Sequence, residues 1–234
     1  MKRLSGVLRL IPVALLFNSL FAQDSAQPRQ IPLPSSKVLQ APSPGRIGPV
    51  NSFPATIAVS PDGHFAALLN MGYGTQKAQA RQSITILDLK SNQVSDFPDA
   101  RLAESAHQSY FIGLAFSSDG RRLYASIGSI TDPGGVKPGN TGNGIAVYTF
   151  EAGRVSPERF LKIAPQTIAP GRKVAFGVRK TAAGTAIPYP AGLAVIPGQG
   201  SDKLLVANNL SDNAVLLDSA DGHVLHEFDL STHP

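Results

Sequence analysis

The chain alternates between short apolar runs and clusters of turn-forming residues over most of its length. From Asn51 onward the runs are rich in β-branched and aromatic residues, and Gly, Pro, Asn and Asp separate them. Short apolar runs with these boundaries are typical of β-strands. The pattern therefore predicts an all-β fold for residues 51–234.

One segment of this pattern occurs three times, at residues 53–70, 110–127 and 189–209. Each copy starts with an aromatic residue, continues with an alanine between two larger apolar residues, and reaches a second apolar run after a Gly-containing turn. Each copy therefore predicts a β-hairpin. Because alternate side chains of a strand point to opposite faces, the alanines should share one face and their larger neighbours the other. The three alanines are Ala58, Ala115 and Ala194.

Two further runs follow each hairpin, so that every unit contains four predicted antiparallel strands. Such a unit is one blade of a β-propeller. We expect blades at about residues 51–103, 108–165 and 188–234. The third strands are predicted at residues 83–89, 144–150 and 213–219, and the fourth at residues 93–100, 154–164 and 223–230.

The units are longer than the roughly 40–50 residues of a typical blade, and the excess should lie in loops. Gly- and Pro-rich candidates occur at residues 71–82, 128–143 and 166–188, and the clustered glycines of the second predict a flexible loop. Propellers typically close with about 4 to 8 blades, so three units predict a partial propeller from a truncated chain. The alternative is a degenerate fourth blade within residues 23–50 and 166–188.

Residues 1–22 have the layout of a secretory signal peptide. A basic start is followed by an apolar run at residues 11–17 and by small Ala22. A membrane anchor is the alternative, although this run is shorter than the roughly 20 residues that span a bilayer. The Pro-, Ser- and Gln-rich residues 23–50 predict a linker, with a possible short edge strand at residues 38–39 or 46–47.

Charge and composition change the picture further. The formal net charge of +5 falls to +2 when the signal peptide leaves with its three basic residues. The remaining Lys and Arg residues are scattered, which argues against a nucleic-acid partner. The chain has no cysteine, which excludes disulfides, thiolate metal sites and a cysteine nucleophile. We therefore expect an exported protein, periplasmic or extracellular, with no membrane contact after signal cleavage.

The sequence contains no recognisable catalytic or metal-binding motif. His223 and His226 are three residues apart, so they would point to opposite faces of a regular strand and are predicted to be surface residues. No serine-hydrolase elbow, phosphate loop or dinucleotide fingerprint occurs. We predict no catalytic residue, no metal and no cofactor in this chain.

Four aspartates have positions in turns or at strand ends that suit a structural role, namely Asp62, Asp88, Asp119 and Asp218.

Antiparallel strands place the start of strand one and the loop between strands two and three at the same end of every blade. Loops on a rigid scaffold commonly carry binding function. The alternatives are that the aromatic residues separate neighbouring blades and that His107 is only an exposed loop residue. The candidate ligand-binding residues at this rim are Tyr73, Asn70, His107, Tyr110, Tyr189, Asn208 and Asn209.

Three short motifs carry a resemblance to a known family. The SPDG of residues 60–63 before an apolar strand, the NNLSD of residues 208–212 and the LLD of residues 216–218 resemble the YVTN-type β-propeller repeat of exported bacterial proteins. The resemblance covers about residues 51–234, and it departs at residues 198–203, where GQGSDK replaces the compact turn. Residues 70–74 are similar to propellers that precede a phosphatase-like phosphoesterase domain, although no segment matches that domain's metal-binding or nucleophile motifs.

The resemblance implies a repeat module that acts as a binding or interaction scaffold through the loops of one face. Its partner would be an unidentified protein or small-molecule ligand. An alternative is the propeller part of a hydrolase, phosphoesterase or lactonase-like, whose catalytic residues lie outside this sequence. A purely structural envelope protein is a third possibility, and saturable ligand binding would distinguish a binding module from it.

Overall fold

The structure is a computed structural model that describes residues 30–32, 38–40, 50–72, 81–102, 108–168, 170–171, 182 and 184–231. The chain divides into two compact units, Met1–Ile47 and Gly48–Pro234. In the first unit, β1 (Gln30–Pro32) pairs antiparallel with β2 (Val38–Gln40). Strand β2 lies where the sequence predicts a possible short edge strand, and β1 lies in the segment predicted to be a linker.

In the described part of the second unit, three sheets contain four antiparallel strands each, and neighbouring strands follow one another in the chain. The fold class is therefore all-β, as predicted, and each sheet has the strand order of a propeller blade. Blade 1 consists of β3 (Pro54–Val59), β4 (Phe65–Met71), β5 (Gln82–Asp88) and β6 (Val94–Pro98). Blade 2 consists of β7 (Ser109–Phe116), β8 (Arg122–Gly128), β9 (Gly144–Glu151) and β10 (Arg154–Lys162). Blade 3 consists of β13 (Pro190–Ile196), β14 (Lys203–Asn208), β15 (Asn213–Asp218) and β16 (Val224–Asp229).

Two small elements connect the blades. A 3-10 helix, Ala100–Leu102, follows blade 1. Between blades 2 and 3, β11 (Gln166–Thr167) pairs antiparallel with β12 (Thr185–Ala186), inside a segment predicted to be a loop. The described residues contain no α-helix, and hence no helix of the length and apolar character that a membrane crossing requires.

The first turn of blades 1 and 2 is stabilised by its aspartate, as predicted. The carboxylate of Asp62 accepts hydrogen bonds from Ser60 Oγ (2.5 Å) and from the backbone N–H two residues on (3.0 Å). Asp119 repeats both bonds, with Ser117 Oγ at 2.6 Å. The glycine after each aspartate has a positive φ, 69° and 72°, which only glycine adopts readily. The turns therefore satisfy both carboxylates without any ligand.

The blades pack face to face through two apolar cores. We call the face that carries Ala58, Ala115 and Ala194 the front face of each blade, and the opposite face its rear face. Leu114 and Phe116 on the rear face of blade 2 belong to the core shared with blade 1. The second core joins the front face of blade 2 to the rear face of blade 3. The predicted separation of small and large residues is thus confirmed where two blades meet.

The first strands of the three blades lie next to one another. Strand β7 contacts both β3 and β13. Four-stranded sheets that stand side by side with their first strands together are the arrangement of propeller blades. The second unit is therefore a partial β-propeller of three blades in its described residues.

Each first strand contains a break in register close to its start. The pairing jumps between Pro54 and Thr56 in β3, between Tyr110 and Leu114 in β7, and between Pro190 and Leu193 in β13. Extra residues at such a break form a β-bulge, which bends the strand and ends the regular pairing. In each first strand, the break separates the residues near the rim from the residues that pair regularly with the second strand.

Candidate functional site

Two of the predicted rim residues are buried asparagines. Asn70 Nδ2 donates to Ser83 Oγ (3.0 Å) and Thr85 Oγ1 (2.7 Å) on the next strand of blade 1. Asn208 Nδ2 donates to Asn213 Oδ1 (3.1 Å) at the equivalent place in blade 3. In this structure both amides therefore stabilise the pairing of the second and third strands. Tyr73 and His107 lie outside the described residues.

Tyr110 lies in the core between blades 1 and 2, with no exposed surface. Its hydroxyl is 2.6 Å from the Tyr148 hydroxyl, which donates to Asp99 Oδ2 at 2.7 Å. Arg101 donates to both oxygens of the same carboxylate, through Nε at 3.0 Å to each and Nη2 at 2.6 Å. Because Asp99 and Arg101 follow blade 1 and the tyrosines belong to blade 2, this network ties the two blades together.

The protonation of this network follows from its burial. Burial alone would raise the pKa of Asp99, but hydrogen bonds from Arg101 and Tyr148 outweigh it and hold that pKa below its ordinary value. Burial raises the pKa of Tyr110 and of Tyr148 well above the usual range of a phenol. The network is thus an ion pair with two neutral hydroxyls, which is suited to structure and unsuited to proton transfer near neutral pH.

Tyr189 and Asn209 lie at the same rim near the start of blade 3. The Tyr189 ring packs edge-on against Phe111 with centroids 5.1 Å apart, and a Cβ added at Gly128 would lie 2.7 Å from that ring. The backbone N–H of Asn209 donates to the Tyr189 carbonyl (2.9 Å), and the Asn209 side chain is exposed. Among the described candidates, Asn209 and the half-buried Tyr189 therefore remain accessible to a ligand.

A loop between β8 and β9 forms the most elaborate feature of this rim. We call residues 129–143 the Asp132 loop, since the buried Asp132 carboxylate organises it. Asp132 accepts hydrogen bonds from the backbone N–H groups of Val136 and Lys137 (both 3.0 Å) and from Asn140 Nδ2 (2.6 Å). Burial alone would raise the pKa of Asp132, but these hydrogen bonds have the larger effect. The pKa of Asp132 therefore lies below its ordinary value.

Two glycines allow the Asp132 loop to fold back on itself. Gly135 and Gly142 have positive φ angles of 61° and 83°. A Cβ at Gly142 would lie 2.7 Å from the Pro133 carbonyl oxygen, and one at Gly135 would lie 2.5 Å from the Gly142 nitrogen. The sequence predicts a flexible loop from these glycines. The structure shows that the loop makes close backbone contacts at these glycines, and its flexibility stays a prediction.

Glutamine and asparagine side chains attach the Asp132 loop to the blades. Gln108 Oε1 accepts hydrogen bonds from the backbone N–H (2.8 Å) and Oγ1 (3.0 Å) of Thr141, and Gln108 Nε2 donates to the Arg101 carbonyl (3.2 Å). Asn143 Oδ1 accepts from the Ser129 N–H (2.6 Å), and Asn143 Nδ2 donates to the Pro188 carbonyl. The loop is therefore fixed to blade 1 on one side and to the start of blade 3 on the other.

The fixed loop presents apolar side chains to solvent. Val136 is 86% exposed and Ile130 is 51% exposed. Loops on a rigid scaffold commonly carry binding function, and these two side chains are accessible for contact. Sequence reasoning missed Asp132, Gln108 and Asn143. Only Asp132 carries a signal, because an aspartate before Pro-Gly-Gly can accept backbone hydrogen bonds in a turn.

The opposite rim contains a cavity of about 370 Å³ between blades 2 and 3, lined mainly by turns and polar side chains. Ser118 donates to both carboxylate oxygens of Asp202, through its backbone N–H (2.8 Å) and its hydroxyl (2.5 Å). Glu158 pairs with Arg122 (2.8 Å) and with Arg159. The Ser118–Asp202 hydrogen bonds join blade 2 to blade 3, whereas the two Glu158 ion pairs lie within blade 2.

His223 and His226 have neighbours other than a metal site in this structure. The His223 ring lies 2.7 Å from Asp221 Oδ1, and the His226 ring packs against Phe228 with centroids 4.5 Å apart. Both histidines are exposed, as predicted. Across the residues that the structure describes, no group of three or more His, Cys, Asp or Glu side chains could hold a metal ion.

Comparison with known proteins gives structural likeness alone. The sequence matches no protein-family model, and no curated protein is similar to it. The β-propeller domain of Cps50 (Swd1) from Myceliophteria thermophila has a TM-score of 0.43 and 12% identity over 79% of this chain and 41% of that one. U3-55K has a TM-score of 0.43 and 14% identity over 78% and 40%. A functionally unknown protein from Desulfotomaculum acetoxidans has 0.46 and 15% over 87% and 51%. The chain thus spans about two fifths to one half of these structures.

Proposed function

We propose that this protein is an exported β-propeller module that binds a protein partner through the rim carrying the Asp132 loop. The observation that carries the proposal is the exposure of Val136 and Ile130 on a loop whose backbone is fixed by Asp132, Gln108 and Asn143. Export rests on the signal-like residues 1–22.

The fixed backbone supports binding because a preorganised loop loses little conformational freedom when a partner arrives. The exposed apolar side chains support it because the centre of a protein interface is depleted of charge and fully buried. Asn209 and the exposed part of Tyr189 supply polar and aromatic groups at the same rim.

A protein partner fits this surface better than a small molecule does. Small-molecule sites are concave and bury most of the ligand surface. Val136 is almost fully exposed, as expected for a projecting group that enters a partner's surface. The cavity at the opposite rim is concave, but its Ser118–Asp202 and Glu158–arginine contacts already pair its polar groups with one another.

Site-specific photo-cross-linking in cells tests the rim. A cross-linking amino acid at position 136 should capture one defined partner, whereas the same group at exposed Leu225, on the outermost strand of blade 3, should not. The purified partner should then bind the Val136→Asp variant at least about tenfold more weakly and the Leu225→Asp variant with unchanged affinity. Identical capture from both positions, or full binding by Val136→Asp, would refute the proposal.

Export has its own test. Mass spectrometry of the protein recovered outside the cytoplasm should show a mature chain that starts near Gln23. A chain that stays in the cytoplasm with residues 1–22 attached would contradict the export part of the proposal and leave the rim to be judged by cross-linking.

A further inference from the structure

The two ends of the blade arc expose faces that are buried elsewhere in the same molecule. On the rear face of blade 2, Leu114 and Phe116 are only 6% and 7% exposed because blade 1 covers them. The equivalent residues of blade 1, Ile57 and Val59, are 61% and 56% exposed. The rear face of blade 1 therefore has the apolar side chains of a blade joint, and no blade among the described residues packs against it.

The front face of blade 3 is uncovered in the same way. Ala67 and Tyr124 on the front faces of blades 1 and 2 are buried in the two cores. Their equivalent in blade 3, Leu205, is only half-buried, and Ile196 on the same face is 42% exposed. Phe228, which shares this face through the pairing of β15 with β16, is also exposed.

The first strands show the same open joint at the level of single atoms. Thr56 Oγ1 in blade 1 donates to the Ile112 carbonyl of blade 2 (2.6 Å). One blade further, a Cβ at the equivalent Gly113 would overlap the Ala191 carbonyl of blade 3. At Gly192, the third equivalent, an added Cβ would meet nothing within 4 Å among the described residues. In blade 1, the residue equivalent to Ile112 and Ala191 is Ala55. The Ala55 carbonyl is therefore the one that would face Gly192 across a further joint of the same kind.

We propose that a second copy of this chain covers both open faces, with the front face of blade 3 in each copy packed against the rear face of blade 1 in the other. The chain already makes this type of joint twice, between blades 1 and 2 and between blades 2 and 3, so both halves of a further joint are present on one molecule. Its occupant is therefore another blade of this chain.

The three described blades set the number of copies in a closed ring. Contacts between unlike faces form either closed rings or open filaments. Propeller rings contain about 4 to 8 blades, and six is the multiple of three in that range. Two copies would thus close one six-bladed ring about a twofold axis, with two identical joints between the chains.

Sedimentation velocity and light scattering on the purified protein test this assembly. We expect a species of twice the mass of one chain at micromolar concentration. Val59→Asp on the rear face of blade 1, or Ile196→Asp on the front face of blade 3, should each give single chains because either variant damages both joints. Val136→Asp, which changes a more exposed valine on the Asp132 loop, should leave the dimer intact.

Mixing the two joint variants distinguishes this ring from a dimer of like faces. In a mixed pair, the unaltered blade 3 of the Val59→Asp copy meets the unaltered blade 1 of the Ile196→Asp copy, and one joint is intact. The mixture should therefore recover dimers that neither variant forms alone. Circular dichroism confirms that each variant remains folded.

Three results would overturn the proposal. They are a single-chain mass for the unaltered protein throughout the micromolar range, a ladder of growing masses that indicates an open filament, and failure of the mixture to recover dimers. None of them bears on whether the Asp132 loop binds a partner.

Discussion

At the scale of single residues, Asp99 links blades 1 and 2 through buried hydrogen bonds. Its side chain is 2% exposed, and it accepts hydrogen bonds from Arg101 on one side and Tyr148 on the other. A buried carboxylate with charged and neutral donors is stable only while every partner stays in place, because an unpaired buried charge is costly. The joint between blades 1 and 2 therefore depends on the ionised form of Asp99.

We predict that Asp99→Asn destabilises the protein by about 2 kcal/mol at pH 7, since Arg101 loses its buried partner. Although burial acts in the opposite direction, the folded-state pKa of Asp99 is lowered from the ordinary value of an aspartate, mainly by its hydrogen bonds from Arg101 and Tyr148. Its contribution to stability is therefore complete above the unfolded-state pKa and is lost as the pH falls through the folded-state pKa. The difference between the two proteins should narrow from about pH 5 downward. Urea unfolding at several pH values measures it.

Asp96→Asn provides the matched control, because Asp96 is an exposed carboxylate on β6, the strand that ends just before Asp99. It should cost less than Asp99→Asn at pH 7. A stability difference for Asp99→Asn that stays constant between pH 7 and pH 3 would show that the charge of Asp99 is unimportant.

At the scale of elements, the Asp132 loop shows how a glycine-rich segment can be ordered. Its glycines permit close backbone approach, and the carboxylate of Asp132 gathers the N–H groups that this approach leaves without strand partners. The exposed position of Val136 therefore depends on backbone geometry several residues away.

Gly142→Ala tests that dependence against Gly139→Ala. Both glycines have φ of 83°, so both substitutions carry the same type of backbone strain. A Cβ at Gly142 would also lie 2.7 Å from the Pro133 carbonyl, whereas a Cβ at Gly139 would meet nothing within 4 Å. We expect Gly142→Ala to lower stability by about 1–3 kcal/mol more than Gly139→Ala. Thermal unfolding gives the difference, and limited proteolysis reports opening of the loop. Equal effects would mean that the loop adapts to the added methyl group.

The sequence pattern predicts the strands well and the contacts between blades poorly. Alternation of apolar residues determines which face of a strand is buried, so the positions of the third strands and the role of Ala58 follow from local order. Asp62 and Asp119 were also predictable, because their partners lie within a few residues. The bond between Tyr148 and Asp99 joins residues of different blades, and no local pattern indicates it.

The rim prediction illustrates the same limit. Strand order correctly brings Asn70 and Tyr110 to one end of their blades. It does not determine what each side chain contacts there. Tyr110 packs in the core between blades 1 and 2, and Asn70 donates to the neighbouring strand of its own blade.

At the scale of the whole molecule, the joints between blades are close contacts of first strands as well as apolar cores. Gly113 lies against the Ala191 carbonyl, and no side chain fits there without movement of the backbone. Among the described residues of one chain, the equivalent Gly192 has free space beside it. Close packing therefore requires a glycine at position 113, whereas a larger residue fits at the equivalent position 192 of one chain.

We predict that Gly113→Ala destabilises the single chain by about 2 kcal/mol, because the added methyl group overpacks the joint. Gly192→Ala should change stability by less than about 0.5 kcal/mol. Both substitutions are compared by denaturant unfolding in the Val59→Asp background, in which the chain is expected not to dimerise. A similar loss for both glycines would indicate that contact with Ala191 is not the cause.

The register break near the start of each first strand has a consequence for how such a repeat can diversify. Between the paired positions on either side of the break, the first strand carries more residues than its partner strand in all three blades. Because the surplus is absorbed there, residues can be gained or lost on the solvent side without inverting the side chains that follow. The recognition surface of each blade can thus vary in length and chemistry while Leu114, Leu193 and their counterpart Ile57 keep their orientation.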